Sequence, residues 1–236
     1  MEKQARIFAI AAHGNQKYGG GEPYVYHLDA VANLMATPTL KQAAYLHDVL
    51  EDTPITAQNL RDAGFGEDVI TAVEFCSDQP GRNRRERKAA TYAKAKSLKD
   101  DAREDVAIFM GFVVKLGDRV ANLRECLRSC DWKGIYQMYR KEADDFRDAY
   151  RLEHGMGVVS AHLWHEYDVL VSAKNENEYL QLVETVLPLK DAIALAAQLQ
   201  GDLRVTRKRL TTAEKKLTCP RCGHWFRHFS GCSCER

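Results

Sequence analysis

The sequence predicts an all-α protein. Apolar residues recur at a spacing of three and four along most of the chain, and no segment shows the strict alternation of apolar and polar residues that predicts a β-strand. Of the 236 residues, 45% are hydrophobic and 28% are charged, which is typical of a soluble globular chain with one large domain and room for an appendage. The formal net charge of +1 indicates no overall basic field for a nucleic acid or a membrane.

The first predicted helices cover residues 5–16 and 27–35. In the first of them, Ile7, Ile10 and Ala11 share one apolar stripe. The second continues the same spacing toward the long apolar segments that follow.

Capping and breaking residues delimit the next helices. We expect residues 40–52 to form a single helix that ends at Thr53-Pro54, because proline disfavours a helical residue before it. Thr56 is the expected N-cap of the following helix and Gly64 its C-cap. Further helices are predicted at residues 67–77, 89–98, 104–127, 134–153 and 157–173, with residues 79–88 as a basic loop before residue 89.

The sequence predicts that the chain is divided into three regions. Residues 1–174 form the helical domain, residues 175–217 a highly charged helical arm broken near Pro188, and residues 218–236 a cysteine-rich tail. No apolar run approaches the roughly 20 residues that a membrane helix needs. The N-terminus carries an acid and a histidine without a small-residue cleavage site, so we expect a cytoplasmic protein with no membrane partner.

The segment AAYLHDVLEDT, residues 43–53, places ionisable side chains behind an apolar run. His47 and Asp48 point about 100° apart on a helix, so both can bind one ion only above their shared edge. Imidazole with carboxylate suits Mn, Fe or Zn better than calcium. His27 begins an earlier helix, and Asp118 ends a deeply apolar run where a carboxylate is costly unless it meets a cation. The alternative is a polar helix end in water.

Four segments in this order resemble the HD-type hydrolase domain of RelA/SpoT proteins, which the small stand-alone alarmone hydrolases share. The segments are FAIAAHGNQKYGGGEPYVYHLDAVA, AAYLHDVLEDT, RRERK and VVKLGDRVANLR. The resemblance covers roughly residues 1–150 and implies an all-helical domain with one Mn²⁺ that hydrolyses the 3′-pyrophosphate of (p)ppGpp. It assigns the metal ligands to His27, His47, Asp48 and Asp118.

The resemblance places the family's Glu-Asp pair at Glu51 and Asp52. Each lies four residues after a metal-ligand candidate and is expected one helical turn along its face. We expect the pair to position the attacking water and take its proton, with the two roles left undivided. A solvated helix end is the alternative, but acids there oppose the helix dipole.

A polyphosphate substrate also needs cations. Lys17 lies in a Gly-rich turn near His27, and Arg87 and Lys88 end the basic run GRNRRERK, although such runs are usually solvated faces. The resemblance places this basic turn and the ERK segment around the nucleotide. Asn122 is expected to bind ribose or base, and Tyr139 is a weaker candidate that is equally well explained as a core aromatic.

The chain departs from the family pattern in three places. KLADRLHN reads KLGDRVAN, with Gly117 and Ala121, and Leu28 replaces the proline after the first metal histidine. No ligand is lost, but the nucleotide that fits is open. Alternatives to (p)ppGpp are another phosphorylated nucleotide, such as a dNTP or NADPH, and a nucleotide-sensing binding module.

The tail CPRCGHWFRHFSGCSCER predicts a zinc-knuckle-like end. Cys219, Cys222, Cys232 and Cys234 are the expected ligands of a structural Zn²⁺, with His224 or His228 as replacements for a cysteine. Disulfides or free thiols are the alternative. The aromatic and basic residues between the cysteines are compatible with contact to a nucleic acid or a protein, although aromatics in so small a module commonly form its core.

Overall fold

The computed structural model describes residues 1–152 and 157–186, with side chains up to residue 152 and from 160 to 182. Within these residues the chain is helical apart from one short hairpin, which confirms the all-α prediction. The elements are α1 Glu2–His13, β1 Lys17–Tyr18, β2 Glu22–Pro23, α2 Val25–Asn33, α3 Pro38–Leu46, α4 Val49–Asp52, α5 Ala57–Asp62, α6 Glu67–Cys76, α7 Arg84–Ser97, the 3-10 helix Asp101–Arg103, α8 Val106–Arg128, α9 Ile135–Lys141, α10 Ala143–Tyr150, α11 Gly157–Leu170 and α12 Glu176–Val186.

Helix α8 forms the centre of the fold. Helices α2, α3, α6 and α11 pack against it, and every residue from Phe109 to Gly117 is buried. Gly111 allows α6 to approach closely, because a Cβ there would lie 2.5 Å from Phe75 Cδ1. A helix that is apolar on all sides is a core helix. The polar residues that follow Gly117 are therefore held inside the domain.

Residues 40–52 form two helices, so the prediction of one continuous helix was wrong. α3 begins at the N-cap Thr37, whose hydroxyl accepts from Leu40 N at 3.2 Å, and it ends before His47. α4 starts after Asp48, whose φ of −99° and ψ of −5° depart from helical values. The break turns His47 and Asp48 out of regular helical register. Helix α4 ends before Thr53-Pro54, as predicted.

Other boundaries also differ from the sequence prediction. Helix α7 begins at Arg84, because the Asn83 side chain caps it by accepting from Glu86 N at 3.0 Å. The second half of the predicted basic loop is therefore helical. The predicted helix 134–153 is divided at Glu142 into α9 and α10. The Thr56 cap is confirmed by a reciprocal capping box with Asn59.

The apolar stripe on α1 faces solvent. Ile7 is 57% exposed and Ile10 38%, whereas Ala5 and Ala9 are fully buried where α1 packs on α3. Small side chains let two helices approach closely, so α1 buries its alanine face. Helical spacing alone could not distinguish these two faces.

The β-hairpin places a Gly-rich turn against α8. β1 and β2 are antiparallel, with Lys17 opposite Pro23 and Tyr18 opposite Glu22. Gly19 has a φ of +52°, and a Cβ there would lie 2.5 Å from Glu125 Oε1. Glycine favours this left-handed backbone, and a side chain there would push the Glu125 carboxylate aside.

Residues Met1–Val186 form one compact unit. Helix α12 belongs to it, because Tyr179 is buried against Trp132 and Tyr136 and donates its hydroxyl proton to Cys126 O. The domain boundary at residue 174 stays a prediction, as does the arm beyond the described residues. In the part of the chain described, no helix is both long and apolar enough to cross a bilayer.

Candidate metal centre

Two histidines face each other below the surface between α2 and α3. His27 lies in the first turn of α2 and His47 follows α3, and both are buried, at 2% and 0% exposure. Their Nε2 atoms are 3.2 Å apart. His47 Nδ1 lies 2.7 Å from Ala44 O, and only an N–H can donate to that carbonyl. Because Nδ1 carries this proton, Nε2 is the His47 nitrogen that can bind a cation once its own proton is displaced, and it faces His27 Nε2.

Two carboxylates approach the same nitrogens. Asp48 Oδ2 lies 2.9 Å from His47 Nε2 and 3.4 Å from His27 Nε2. Asp118 Oδ1, from α8, lies 3.3 Å from His27 Nε2 and 3.8 Å from His47 Nε2. The four side chains assigned as metal ligands thus come together from three separate segments of the chain. Among the residues that the structure describes, His27, His47 and Asp48 form the group whose donor atoms lie close enough together to share one ion.

The chemistry of this donor set fits a divalent metal. Burial opposes protonation of His47, but Asp48 and Asp118 outweigh it and raise the pKa of His47 to about 10. Burial also opposes ionisation of Asp48 and Asp118, yet the histidines hold the pKa of each carboxyl well below its usual range. Protons on the histidines thus balance the carboxylates, and a divalent cation can replace them. Mixed imidazole and carboxylate donors suit Mn, Fe or Zn.

Helix α8 fixes Asp118 from two sides. Asn122, one turn later, donates from Nδ2 to Asp118 Oδ1 at 2.5 Å, and Tyr18 OH donates to Asn122 Oδ1 at 3.0 Å. Lys115 Nζ, one turn earlier, lies 3.7 Å from Asp118 Oδ2. Burial disfavours the charge on Lys115, but the nearby carboxylate of Asp118 raises its pKa well above the usual value. Asn122, predicted to contact substrate, is engaged here in orienting Asp118.

Glu51 and Asp52 lie at the solvent-facing edge of the site but in different surroundings. Glu51 Oε2 accepts from Asp78 N at 3.0 Å, and partial burial raises its pKa above the usual value despite Lys115. Asp52 Oδ2 accepts from Gln16 Nε2 at 2.9 Å and lies 3.3 Å from Tyr24 OH. The two acids therefore have different partners, which their adjacent positions in the sequence could not indicate.

The three predicted substrate-binding cations differ in how far they are exposed to solvent. Lys17 is exposed on β1, beside Tyr18. Lys88 is half-buried and pairs with both oxygens of Asp78, at 2.7 and 2.8 Å. Burial and the nearby Lys115 lower the pKa of Lys88. Because Asp78 N also binds Glu51, Lys88 supports the site through Asp78. Arg87 is half-buried on α7, with its Cγ close to Gly81.

Tyr139 packs on a buried arginine. The Arg119 guanidinium lies 4.3 Å from the Tyr139 ring centroid and 4.4 Å from that of Phe146. This position agrees with the alternative interpretation of Tyr139 as a core-facing aromatic, and a substrate contact stays a prediction. The predicted zinc ligands Cys219, Cys222, Cys232 and Cys234 lie outside the described residues.

Sequence reasoning missed the two tyrosines of the site. Tyr24 OH donates to Asp48 Oδ2 at 2.6 Å, and burial together with Asp48 raises the pKa of Tyr24 far above the usual value. The Tyr18 ring lies 4.7 Å from the His27 ring. Both residues belong to the segment GNQKYGGGEPY, in which only Lys17 was singled out. The signal was the segment's closeness to His27, but its contacts depend on the hairpin.

An all-helical domain with paired histidines and aspartates at its centre defines a class of metal-binding helical proteins. This chain belongs to the HD-domain family, whose model matches residues 5–140. Gly117, one of its departures from the usual motif, leaves room for Met35 Cε beside α8.

Characterised relatives carry names that concern guanosine tetraphosphate metabolism. The guanosine-3′,5′-bis(diphosphate) 3′-pyrophosphohydrolase of Vibrio cholerae is 35% identical over 126 residues, which is 52% of this chain and 17% of the relative. The bifunctional (p)ppGpp synthase/hydrolase SpoT of Escherichia coli has the same identity and coverage. The GTP pyrophosphokinase rsh of Brucella suis is 32% identical over 136 residues, covering 56% of this chain and 18% of the relative. The match thus spans less than a fifth of each relative.

A solved structure shares the fold. It is described as a metazoan ortholog of SpoT that hydrolyzes ppGpp and plays a role in starvation responses. It aligns with a TM-score of 0.52 at 22% identity, over 70% of this chain and 94% of that chain. At this identity the likeness establishes the architecture.

Proposed function

We propose that the protein is a Mn²⁺-dependent phosphohydrolase that removes the 3′-pyrophosphate of (p)ppGpp. The observation that carries this proposal is the cluster of His27, His47 and Asp48, with Asp118 Oδ1 3.3 Å from His27 Nε2, in a chain of the HD-domain family. The relatives' names support the choice of substrate.

The four converging side chains would hold the ion. When bound, Mn²⁺ would supply Lewis acidity that acidifies a water and offsets the charge of the departing pyrophosphate. Asn122 and Lys115 keep Asp118 oriented, and the Ala44 carbonyl keeps His47 in the tautomer that presents Nε2. This chain therefore supplies both the ligands and the groups that fix them.

Glu51 and Asp52 are the groups that would take the proton of the attacking water. The raised pKa of Glu51 suits a proton acceptor that must work near neutral pH. Asp52 is held by Gln16 and Tyr24, so its free oxygen lone pairs stay available to orient water. We assign water positioning and proton transfer to this pair together.

Cations at the rim would receive the phosphates. Lys17, which is exposed, and Arg87, which is half-buried, are the candidates, and Lys88 contributes through its pair with Asp78. Asn122 and Tyr139 are the proposed contacts for ribose or base. The substrate would thus be a small nucleotide, in keeping with a cytoplasmic enzyme.

Pyrophosphate and phosphate release from a nucleotide panel tests the proposal. The panel contains ppGpp, dNTPs and NADPH, each assayed with and without Mn²⁺. We expect pyrophosphate from ppGpp only with Mn²⁺, and no turnover by Asp48→Ala or Glu51→Gln. Asp62→Ala, which alters an exposed acid that accepts a hydrogen bond from Gln58, serves as the control that keeps activity.

The panel also separates the alternatives. Turnover of a dNTP or NADPH in place of ppGpp would keep the HD phosphohydrolase and replace its substrate. Nucleotide binding without turnover of any panel member would support a sensing module and contradict the enzyme.

We also propose that the four tail cysteines bind one structural Zn²⁺. A zinc-release assay after thiol modification should yield about one ion per chain. Release of no zinc would remove that site, whereas the HD centre would be unaffected.

A further inference from the structure

Tyr24 bridges the two acids that the proposed function treats differently. Its hydroxyl donates to Asp48 Oδ2 at 2.6 Å and lies 3.3 Å from Asp52 Oδ2. Asp48 Oδ2 is also the oxygen that faces His47 Nε2 at 2.9 Å. One hydroxyl therefore touches a proposed metal ligand and a proposed proton acceptor at the same time.

Gln16 holds the same acid from the opposite side. Its Nε2 lies 2.9 Å from Asp52 Oδ2, and a carboxylate only accepts, so the amide nitrogen must face Asp52. Gln16 Oε1 then faces His13 Nδ1, at 2.9 Å, which must donate. The buried His13 ring stacks on Tyr24 with centroids 4.4 Å apart. His13, Gln16 and Tyr24 thus form one connected support from the end of α1 and the hairpin.

We propose that Tyr24 and Gln16 are positioning residues that keep the two acids in separate roles. Tyr24 aims Asp48 at the metal, and Gln16 together with Tyr24 restrains Asp52 outside the coordination sphere, where it meets water. This inference rests on the proposed function. Without the Tyr24 hydroxyl, Asp48 loses the donor that orients it, and Asp52 loses one of the two contacts that restrain it.

Measurements of Mn²⁺ affinity and of ppGpp turnover together test whether Asp48 and Asp52 have separate roles. Tyr24→Phe keeps the ring that stacks on His13 and should weaken Mn²⁺ binding by about tenfold or more, with a fall in kcat. Gln16→Met should leave the Mn²⁺ Kd within about twofold while lowering kcat by about tenfold, because Asp52 is not a ligand. Tyr26→Phe, two residues later in α2 and 58% exposed, is the matched control and should change neither quantity.

The outcomes separate this inference from the proposed function. An unchanged Mn²⁺ Kd in Tyr24→Phe would overturn the inference alone, as would equal losses of Mn²⁺ affinity in Tyr24→Phe and Gln16→Met. A wild-type protein that binds no Mn²⁺ would overturn the proposed function and the inference with it. If Tyr24→Phe fails to fold, the kcat and Kd of Gln16→Met decide, and a weakened Kd there contradicts the division.

Discussion

Helix α8 contributes to two buried clusters of charged side chains, which differ in the groups that neutralise their charges. The metal cluster contains His27, His47, Asp48 and Asp118. The arginine cluster lies one residue further, where Arg119 is 4% exposed. Its guanidinium contacts Glu142 and Tyr92 and is covered by Tyr139 and Phe146, and Arg84 forms a bidentate pair with Glu142.

This difference indicates which of the two clusters can bind a metal ion. In the arginine cluster, Arg84 and Arg119 share Glu142, and tyrosine hydroxyl and ring faces complete the contacts. In the metal cluster, Tyr24 and Asn122 donate hydrogen bonds to the carboxylates, and the positive charge comes from protons on two histidines and from Lys115 at 3.7 Å. Removing one partner from the arginine cluster would leave a buried charge unpaired, whereas the protons of the metal cluster can be exchanged for a metal ion.

The largest expected effect comes from Asp118→Asn. It keeps the shape of the side chain but removes one negative charge from the metal cluster. We expect kcat/KM for ppGpp to fall by at least about 1000-fold, or roughly 4 kcal/mol of transition-state stabilisation. The rise of Tm on adding Mn²⁺ should also disappear, as thermal unfolding will show. If Asp118→Asn keeps both the wild-type kcat/KM and the rise of Tm with Mn²⁺, Asp118 does not bind the metal.

Glu142→Gln should have the second largest effect. It should lower the free energy of unfolding and leave Mn²⁺ binding nearly unchanged. It leaves the buried Arg119 without a carboxylate, which costs about 3 kcal/mol in the free energy of unfolding. Urea unfolding measures the loss, and Mn²⁺ titration should give a Kd within about twofold of wild type. A weakened Kd with unchanged stability would contradict the separation of the two clusters.

Arg87→Met tests a cation that belongs to neither cluster. If Arg87 meets a substrate phosphate, its loss should raise KM about tenfold, or about 1.4 kcal/mol, with little change in kcat. Arg85→Met, the exposed neighbour on α7, is the matched control. Steady-state kinetics with ppGpp give both constants, and equal effects of the two variants would count against a specific contact.

The smallest effect is expected for Glu67→Gln. Glu67 forms a bidentate pair with Arg61, but both are exposed, and water screens such pairs. The urea midpoint should stay close to wild type, in contrast to Glu142→Gln. A loss as large as that of Glu142→Gln would show that burial is not what distinguishes the arginine cluster.

Part of this site could be predicted because its signals are local. His47 and Asp48 are adjacent, and Asp118 ends a run so apolar that its carboxylate needs a partner. The roles of Tyr24 and Gln16 could not be predicted, since they depend on a hairpin that brings residues 16 and 24 to α4. The basic run predicts Lys88 as a cation for the substrate phosphates, and the sequence does not indicate that Asp78, ten residues earlier, pairs with it.

The fold shows the same limit. Helical spacing located the helices, because a 3.6-residue period is visible in the sequence. It did not reveal the break at His47, where the backbone departs from the helix only at Asp48. Nor did it indicate that α1 would bury Ala5 and Ala9 in preference to Ile7, because close helix approach depends on the facing helix.

Mn²⁺ titration of EDTA-treated protein, followed by ppGpp hydrolysis at each point, tests the central claim most directly. Wild type should bind one more Mn²⁺ per chain than Asp48→Ala, and pyrophosphate release should rise in proportion to that additional ion. Equal Mn²⁺ binding by the two proteins, or hydrolysis at the same rate without Mn²⁺, would contradict the assignment of His27, His47, Asp48 and Asp118 as the metal centre.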